Sequence, residues 1–167
     1  MPSLYTVSVP IFVRGLNNLD HLLAKAITCG IDEHALVDAR LIADMLPLTR
    51  QVQIACDTAK FAAMRVGGAP ALPMDDDEKT LAELRDRIAR TIAYLEHVDP
   101  AGFDGREAAE VILKLPTHEI PFTGLSYITD FALPNFFFHL TTAYGLLRMK
   151  GVEIGKLDFL AGGGGLA

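Results

Sequence analysis

Cysteine is scarce in this sequence of 167 residues: only Cys29 and Cys56 occur, 27 positions apart and with no Cys-x-x-Cys spacing. That excludes a disulfide-stapled scaffold and a cysteine-rich zinc module. Cys56 lies in an apolar helical stretch, where a thiol serves as a small hydrophobe. Long apolar runs are missing as well. None approaches the roughly 18 uninterrupted residues that a membrane-spanning helix needs. No basic segment precedes an apolar stretch after Met1, so the reading gives no secretory leader, no membrane partner and a cytoplasmic location. Positive charge is in deficit, with 15 Lys and Arg against 21 Asp and Glu, a formal net charge of −6. A field of that sign repels phosphate backbones, and nucleic acid is not expected as a partner. Arg85, Arg87 and Arg90 come nearest to a basic cluster, but Glu83 and Asp86 are interleaved with them, as on a solvated helix face. Gly-x-Ser-x-Gly, Gly-x-Gly-x-x-Gly and P-loop patterns are absent, which removes the serine-hydrolase elbow and the usual nucleotide cradles.

What is present is hydrophobic periodicity. Half of the residues are hydrophobic, enough for one substantial core in a chain of this size. From Leu4 to Ile27, the positions Val9, Phe12, Leu16, Leu19, Leu23 and Ala26 recur at three- and four-residue steps, so they make one apolar stripe on a helix. Gly30 closes it. Asp32 is placed to cap a short lead-in helix through Ala39. A second long helix is expected from Arg40 to Val66, with a bend near Met45 where Pro47 interrupts it. Gly67 to Glu78 reads as a loop, and its acidic run Asp75-Asp76-Asp77-Glu78 suits the positive end of the helix that follows. Thr80 and Glu83 form a capping box for the third helix, Leu81 to His97. Val111 to Leu115 and Ile120 to Phe122 read as a short hairpin. Thr123 then caps a fourth helix from Leu125 to Lys150, which Pro134 should kink and Gly151 should end. Residues 1–160 are thus expected to form one all-α domain, a four-helix bundle with a long crossover, a short hairpin between its third and fourth helices, and a flexible glycine-rich tail over 161–167.

Polar residues on apolar helix faces are the informative ones, because burying them unpaired is costly. Asn135, His139 and Thr142 fall at i, i+4 and i+7 and share a face amid Phe136, Phe137 and Phe138. Tyr144 shares a second face with Arg148. An imidazole in apolar surroundings can act as acid, base or ligand. On the second helix, Asp44 and Gln51 are seven residues apart and fall on nearly one face. Gln53, Asp57 and Lys60 make a separate stripe, either a surface ion pair or an inward-facing set. A metal pair at helical spacing would need histidine at 135 or 143; Asn135 and Ala143 stand there.

Three stretches are similar to those of a branch of the DinB-like four-helix-bundle superfamily: Ala43 to Asp57, the Pro-Asn-Phe-x-Phe-His-x-x-Thr-Ala-Tyr segment Pro134–Tyr144, and Gly155 to Leu160. Phe122-Thr123-Gly124, Leu4-Tyr5 and Val7-Ser8-Val9 fit too, so the resemblance spans about Leu4 to Leu160. It implies a bundle with a long crossover that is often a homodimer. It also implies, in better-understood relatives, three histidines on the second and fourth helices that hold a divalent metal, in some cases for thiol-dependent transfer. Only His139 maps onto that set. Gln51, Asp44, Asp57 or Asn135 would have to replace the others, and amides are poor ligands for zinc or nickel, so no cofactor is expected.

The functional expectation is a metal-independent pocket for a small, mostly apolar molecule. His139 and Asp44 would carry acid/base chemistry of an isomerase, cyclase or hydrolase type. Gln51, Asn135, Thr142, Tyr144 and Asp57 would contact the ligand. The alternatives are a divergent DinB-like metalloenzyme or thiol-dependent transferase, and a non-catalytic bundle whose polar residues hold helix kinks and a dimer interface.

Overall fold

A computed structural model describes residues 2–162. Four long helices form the bundle: α1 (Val9–Ile27), α3 (Leu48–Gly67), α4 (Leu81–Glu96) and α6 (Leu133–Met149). Shorter pieces join them: α2 (Glu33–Val37), a 3₁₀ turn at Pro100–Phe103, and strands β1 (Glu110–Lys114) and β2 (Glu119–Thr123). A single turn α5 (Gly124–Ser126), a π-helical stretch Tyr127–Ala132 and α7 (Lys156–Ala161) complete the chain. The fold is therefore all-α with a small antiparallel hairpin, in which Val111 faces Phe122 and Leu113 faces Ile120. No helix among the described residues is long and apolar enough to cross a membrane.

The predicted stripe on α1 is buried in full: Val9, Phe12, Leu16, Leu19, Leu23 and Ala26 are each at most 2% exposed. Helix α1 lies between α4 and α6, and α3 lies between the same two on the opposite side. Thr80 and Glu83 cap α4 reciprocally, as their spacing predicted. The crossover is the extended segment 68–80. It begins at Gly68, whose left-handed backbone (φ 67°) ends α3, and returns to the start of that helix, where Glu78 accepts a hydrogen bond from Gln53. Helices α3 and α4 therefore run parallel.

The structure corrects several boundaries. The first helix begins at Val9, not Leu4: Leu4 to Ser8 form turns, and the buried Ser8 hydroxyl donates to the Leu4 carbonyl. Pro10 sits in the first turn, where a missing N–H costs nothing. The second helix begins at Leu48, not Arg40. Pro47 is its extended N-cap and disfavours helix in the residue before it, so Asp44 lies in an exposed turn. The predicted fourth helix is divided: a π-helical stretch, Tyr127–Ala132, comes first, and Pro134 falls in the first turn of α6 directly after it. Ala161 closes α7 and Gly162 caps it; the rest of the predicted tail, residues 163–167, lies outside the described residues.

Candidate functional site

Helices α3 and α6 pack along an antiparallel seam, and three side-chain pairs bridge it like rungs. At one end, His139 Nδ1 lies 2.7 Å from Gln51 Oε1. Asn135 Nδ2 donates to Thr58 Oγ1 at 2.8 Å in the middle. At the far end, Arg65 Nη1 donates to the Tyr127 hydroxyl at 2.6 Å. Gln51, Thr58 and Arg65 follow one another at seven-residue steps, which keeps them on one face of α3, about 10 Å apart per step. Their partners are spaced differently: Asn135 precedes His139 by four residues and follows Tyr127 by eight. Two ordinary helical turns take about seven residues. The wider π-helical turns take the eighth, and so Tyr127 rather than Ile128 meets Arg65.

The hydrogen bonds fix the chemical state of the first rung. The Leu46 carbonyl can only accept, and Gln51 Nε2 donates to it at 2.9 Å. Gln51 Oε1 therefore faces the imidazole, and the ring proton sits on Nδ1. Nε2 keeps its lone pair. The same logic orients the second rung: the Thr58 hydroxyl donates to the Ile54 carbonyl, so it must accept from Asn135. Asn135 Oδ1 is thereby turned away from Thr58. Neither His139 Nε2 nor Asn135 Oδ1 has a partner among the described residues, yet neither is sealed from solvent, as only Arg87 Nε is. Gln51 is 1% exposed and His139 8%. Burial pushes the imidazole below its ordinary pKa, and the positive charge of Arg50 pushes it further the same way. At the third rung, burial raises the Tyr127 phenol against the opposing pull of Arg65, whose guanidinium also lies 4.7 Å over the Phe61 ring.

Gln51, Asn135 and His139 thus come together, and the other predicted residues do not join them. Asp44 is out on its exposed turn, so its expected shared helix face with Gln51 does not exist. Thr142 spends its hydroxyl on the Phe138 carbonyl of its own helix. Tyr144 faces elsewhere, its ring edge-on to Phe159 of α7 at 5.6 Å. Asp57 belongs to a second network around Arg87, which is 1% exposed and not on a solvated face. Arg87 is ion-paired with Asp57 (2.9 Å), Asp76 (3.0 Å) and Glu78 (2.9 Å). Lys60 joins through Asp57, and Arg50 through Asp76. Asp76 and Glu78 of the acidic run therefore clasp a buried arginine. Thr58, Arg65 and Tyr127 were missed; the seven-residue repeat from Gln51 was the available signal. Cys56 is buried, and burial pushes its thiol up to about 12, which leaves it inert as a nucleophile.

A metal at the seam would have to use His139 Nε2 with amide oxygens. Gln51 Oε1 is already committed to the imidazole N–H, and among the described residues no three His, Cys, Asp or Glu converge on one point. These residues do not fit a transition metal. A cavity of about 720 Å³ opens at the other end of α3, lined by Ala69, Pro70, Leu72, Tyr94 and Val98; His139 is not part of it.

The parallel crossover, the hairpin before the last long helix and the polar seam together define a DinB-like bundle. A crystal structure of a DinB family member from Shewanella denitrificans is similar to this chain at 43% identity, with a TM-score of 0.85 over 95% of this chain and 92% of that one. The family model for a domain of unknown function, DUF1993, matches residues 4–160, and the chain belongs to that family. No curated protein matches it.

Proposed function

We propose that the α3–α6 seam is a metal-independent acid/base site for a small, mostly apolar molecule, with His139 Nε2 as the proton acceptor. The observation that carries this reading is the relay from the Leu46 carbonyl through Gln51 to His139 Nδ1. An imidazole held as the Nδ1–H tautomer presents one defined lone pair. With its pKa depressed by burial, that lone pair is free at neutral pH. When Nε2 takes a proton from a substrate X–H group, the imidazolium formed keeps its hydrogen bond from Nδ1–H to Gln51 Oε1. Gln51 is a positioning residue, since it acts on substrate only through the ring. Exposed Phe138 and Leu46 supply apolar surface beside it.

Nitrogen spectra of the imidazoles, recorded on the full chain from pH 4 to 9, test the reading. The expected result is an Nδ1–H tautomer with a midpoint below the roughly 6.5 of an unperturbed histidine. A midpoint at or above that value, or an Nε2–H tautomer, sinks the proposal. With phenol as probe, wild type should show a ligand-dependent rise in melting temperature that His139→Ala, still folded, lacks. Loss of folding in that variant would instead mark His139 as a structural residue.

A further inference from the structure

At the first two rungs of the seam, His139 Nε2 and Asn135 Oδ1 have no partner among the described residues, and both are acceptors. His139 Nε2 carries no hydrogen because the Gln51 relay places it on Nδ1. Asn135 Oδ1 carries none by nature, and Thr58 holds the amide so that this oxygen points away from it. Residues four apart on a helix stand about 5–6 Å from each other. The seam therefore offers two fixed lone pairs, one helical turn apart, each locked by a side chain of α3.

Such a pair selects its ligand by chemistry. A carboxylate or phosphate brings only further lone pairs and would leave all four groups unsatisfied. An organic cation could donate, but Arg50 already places a positive charge close enough to depress the His139 imidazole. A neutral molecule with two O–H or N–H groups remains. Its frame must be apolar, because Phe138, 55% exposed, stands edge-on to the His139 ring at 5.2 Å. Leu46, 42% exposed, lies beyond Gln51.

We infer that the seam recognises neutral dihydroxyaromatic compounds, one hydroxyl donating to His139 Nε2 and the other to Asn135 Oδ1. The inference rests on the acid/base reading of His139 and adds the substrate class and a second recognition residue. The hydroxyl on His139 is the one that gives up its proton: its O–H bond breaks, Nε2 gains the proton, and the electron pair stays on the phenolate oxygen. The hydroxyl on Asn135 stays intact and sets the orientation of the ring.

Three probes on the full chain separate the possibilities: resorcinol, 3-methoxyphenol and 1,3-dimethoxybenzene, titrated by calorimetry and by the His139 nitrogen resonances. Each methylation removes one donor and keeps the aromatic frame. Affinity should fall about five- to tenfold at each step, the worth of one hydrogen bond. In Asn135→Ala, resorcinol and 3-methoxyphenol should bind alike while both still shift Nε2. Equal binding of these two by wild type, or a preference for resorcinol that survives in Asn135→Ala, overturns the inference. If 3-methoxyphenol still moves the Nε2 resonance in those cases, the acid/base reading stands and only the two-donor inference falls. If none of the three moves it, both fall.

Discussion

Single side chains decide more here than their chemical labels suggest. Gly15 lies in the middle of α1, where glycine costs helix stability. A Cβ there would stand 2.5 Å from the Phe136 ring, which packs edge-on to Phe12 at 5.0 Å. The glycine is present to let α6 approach. Gly15→Ala should therefore lower stability by about 1–2 kcal/mol, the overpacking cost exceeding the roughly 1 kcal/mol gained in helix propensity. A urea midpoint equal to or above wild type would contradict this. The sequence marked His139 and Asn135 as polar residues in an apolar setting. It could not show that Gln51 and Thr58 are the groups that fix them, because those contacts span 88 and 77 residues.

At the scale of elements, the π-helical stretch and α7 were not legible. The hydrophobic pattern of the fourth helix runs through Tyr127–Ala132 without a break, and only the pairing across to Arg65 shows that the register has shifted by one residue. Helix α7 has six residues and no buried stripe of its own; it is held by contacts to α1. Asn18 and Arg14 donate to the carbonyls of Phe159 and Leu160. Asp158 accepts from Lys25, from the Gly155 backbone and from His21, and these bonds, led by Lys25, lower its carboxyl to about 2. A carboxylate whose folded pKa lies below its unfolded value of about 3.9 contributes stability above that value. The contribution disappears as pH falls from about 4 through 2. The resonances of Phe159 and Tyr144 should accordingly move toward unpacked values in that window and stay fixed between pH 5 and 7. Asp158→Asn should show the same change already at pH 6. Resonances that ignore acid, or a variant identical to wild type, would mean that apolar contacts alone hold α7.

Over the whole molecule, the Arg87 cluster ties the crossover to the bundle. Segment 68–80 has no regular secondary structure, yet Arg87 binds the Asp75 carbonyl as well as Asp76 and Glu78. Tyr94 donates to the Pro70 carbonyl further along. Removing the cation would leave two partly buried carboxylates under-compensated, Asp57 with only Lys60 and Glu78 with only the neutral Gln53 amide. Arg87→Ala should cost about 3–5 kcal/mol in chemical denaturation. Arg87→Ala combined with Asp57→Asn and Glu78→Gln should recover part of that loss. A single variant within 1 kcal/mol of wild type would show that the crossover is held by its apolar contacts instead.

What the sequence determined by itself is what short-range rules govern. The 3.6-residue stripe on α1, the Thr80–Glu83 box, the alternation in the hairpin and the stop at Gly151 each depend on neighbours within a few residues. These were enough to give the four-helix class and the candidate face around His139. Tertiary structure alone decided where the polar groups went. Arg87, read as solvated, became the centre of a buried clasp that the acidic run closes, and Asp44, read as facing the site, was left on a turn outside the helix by Pro47. The physical reason is the same in both cases. A charge or an amide close to an apolar face is settled by the partner it finds, and that partner comes from another element of the fold.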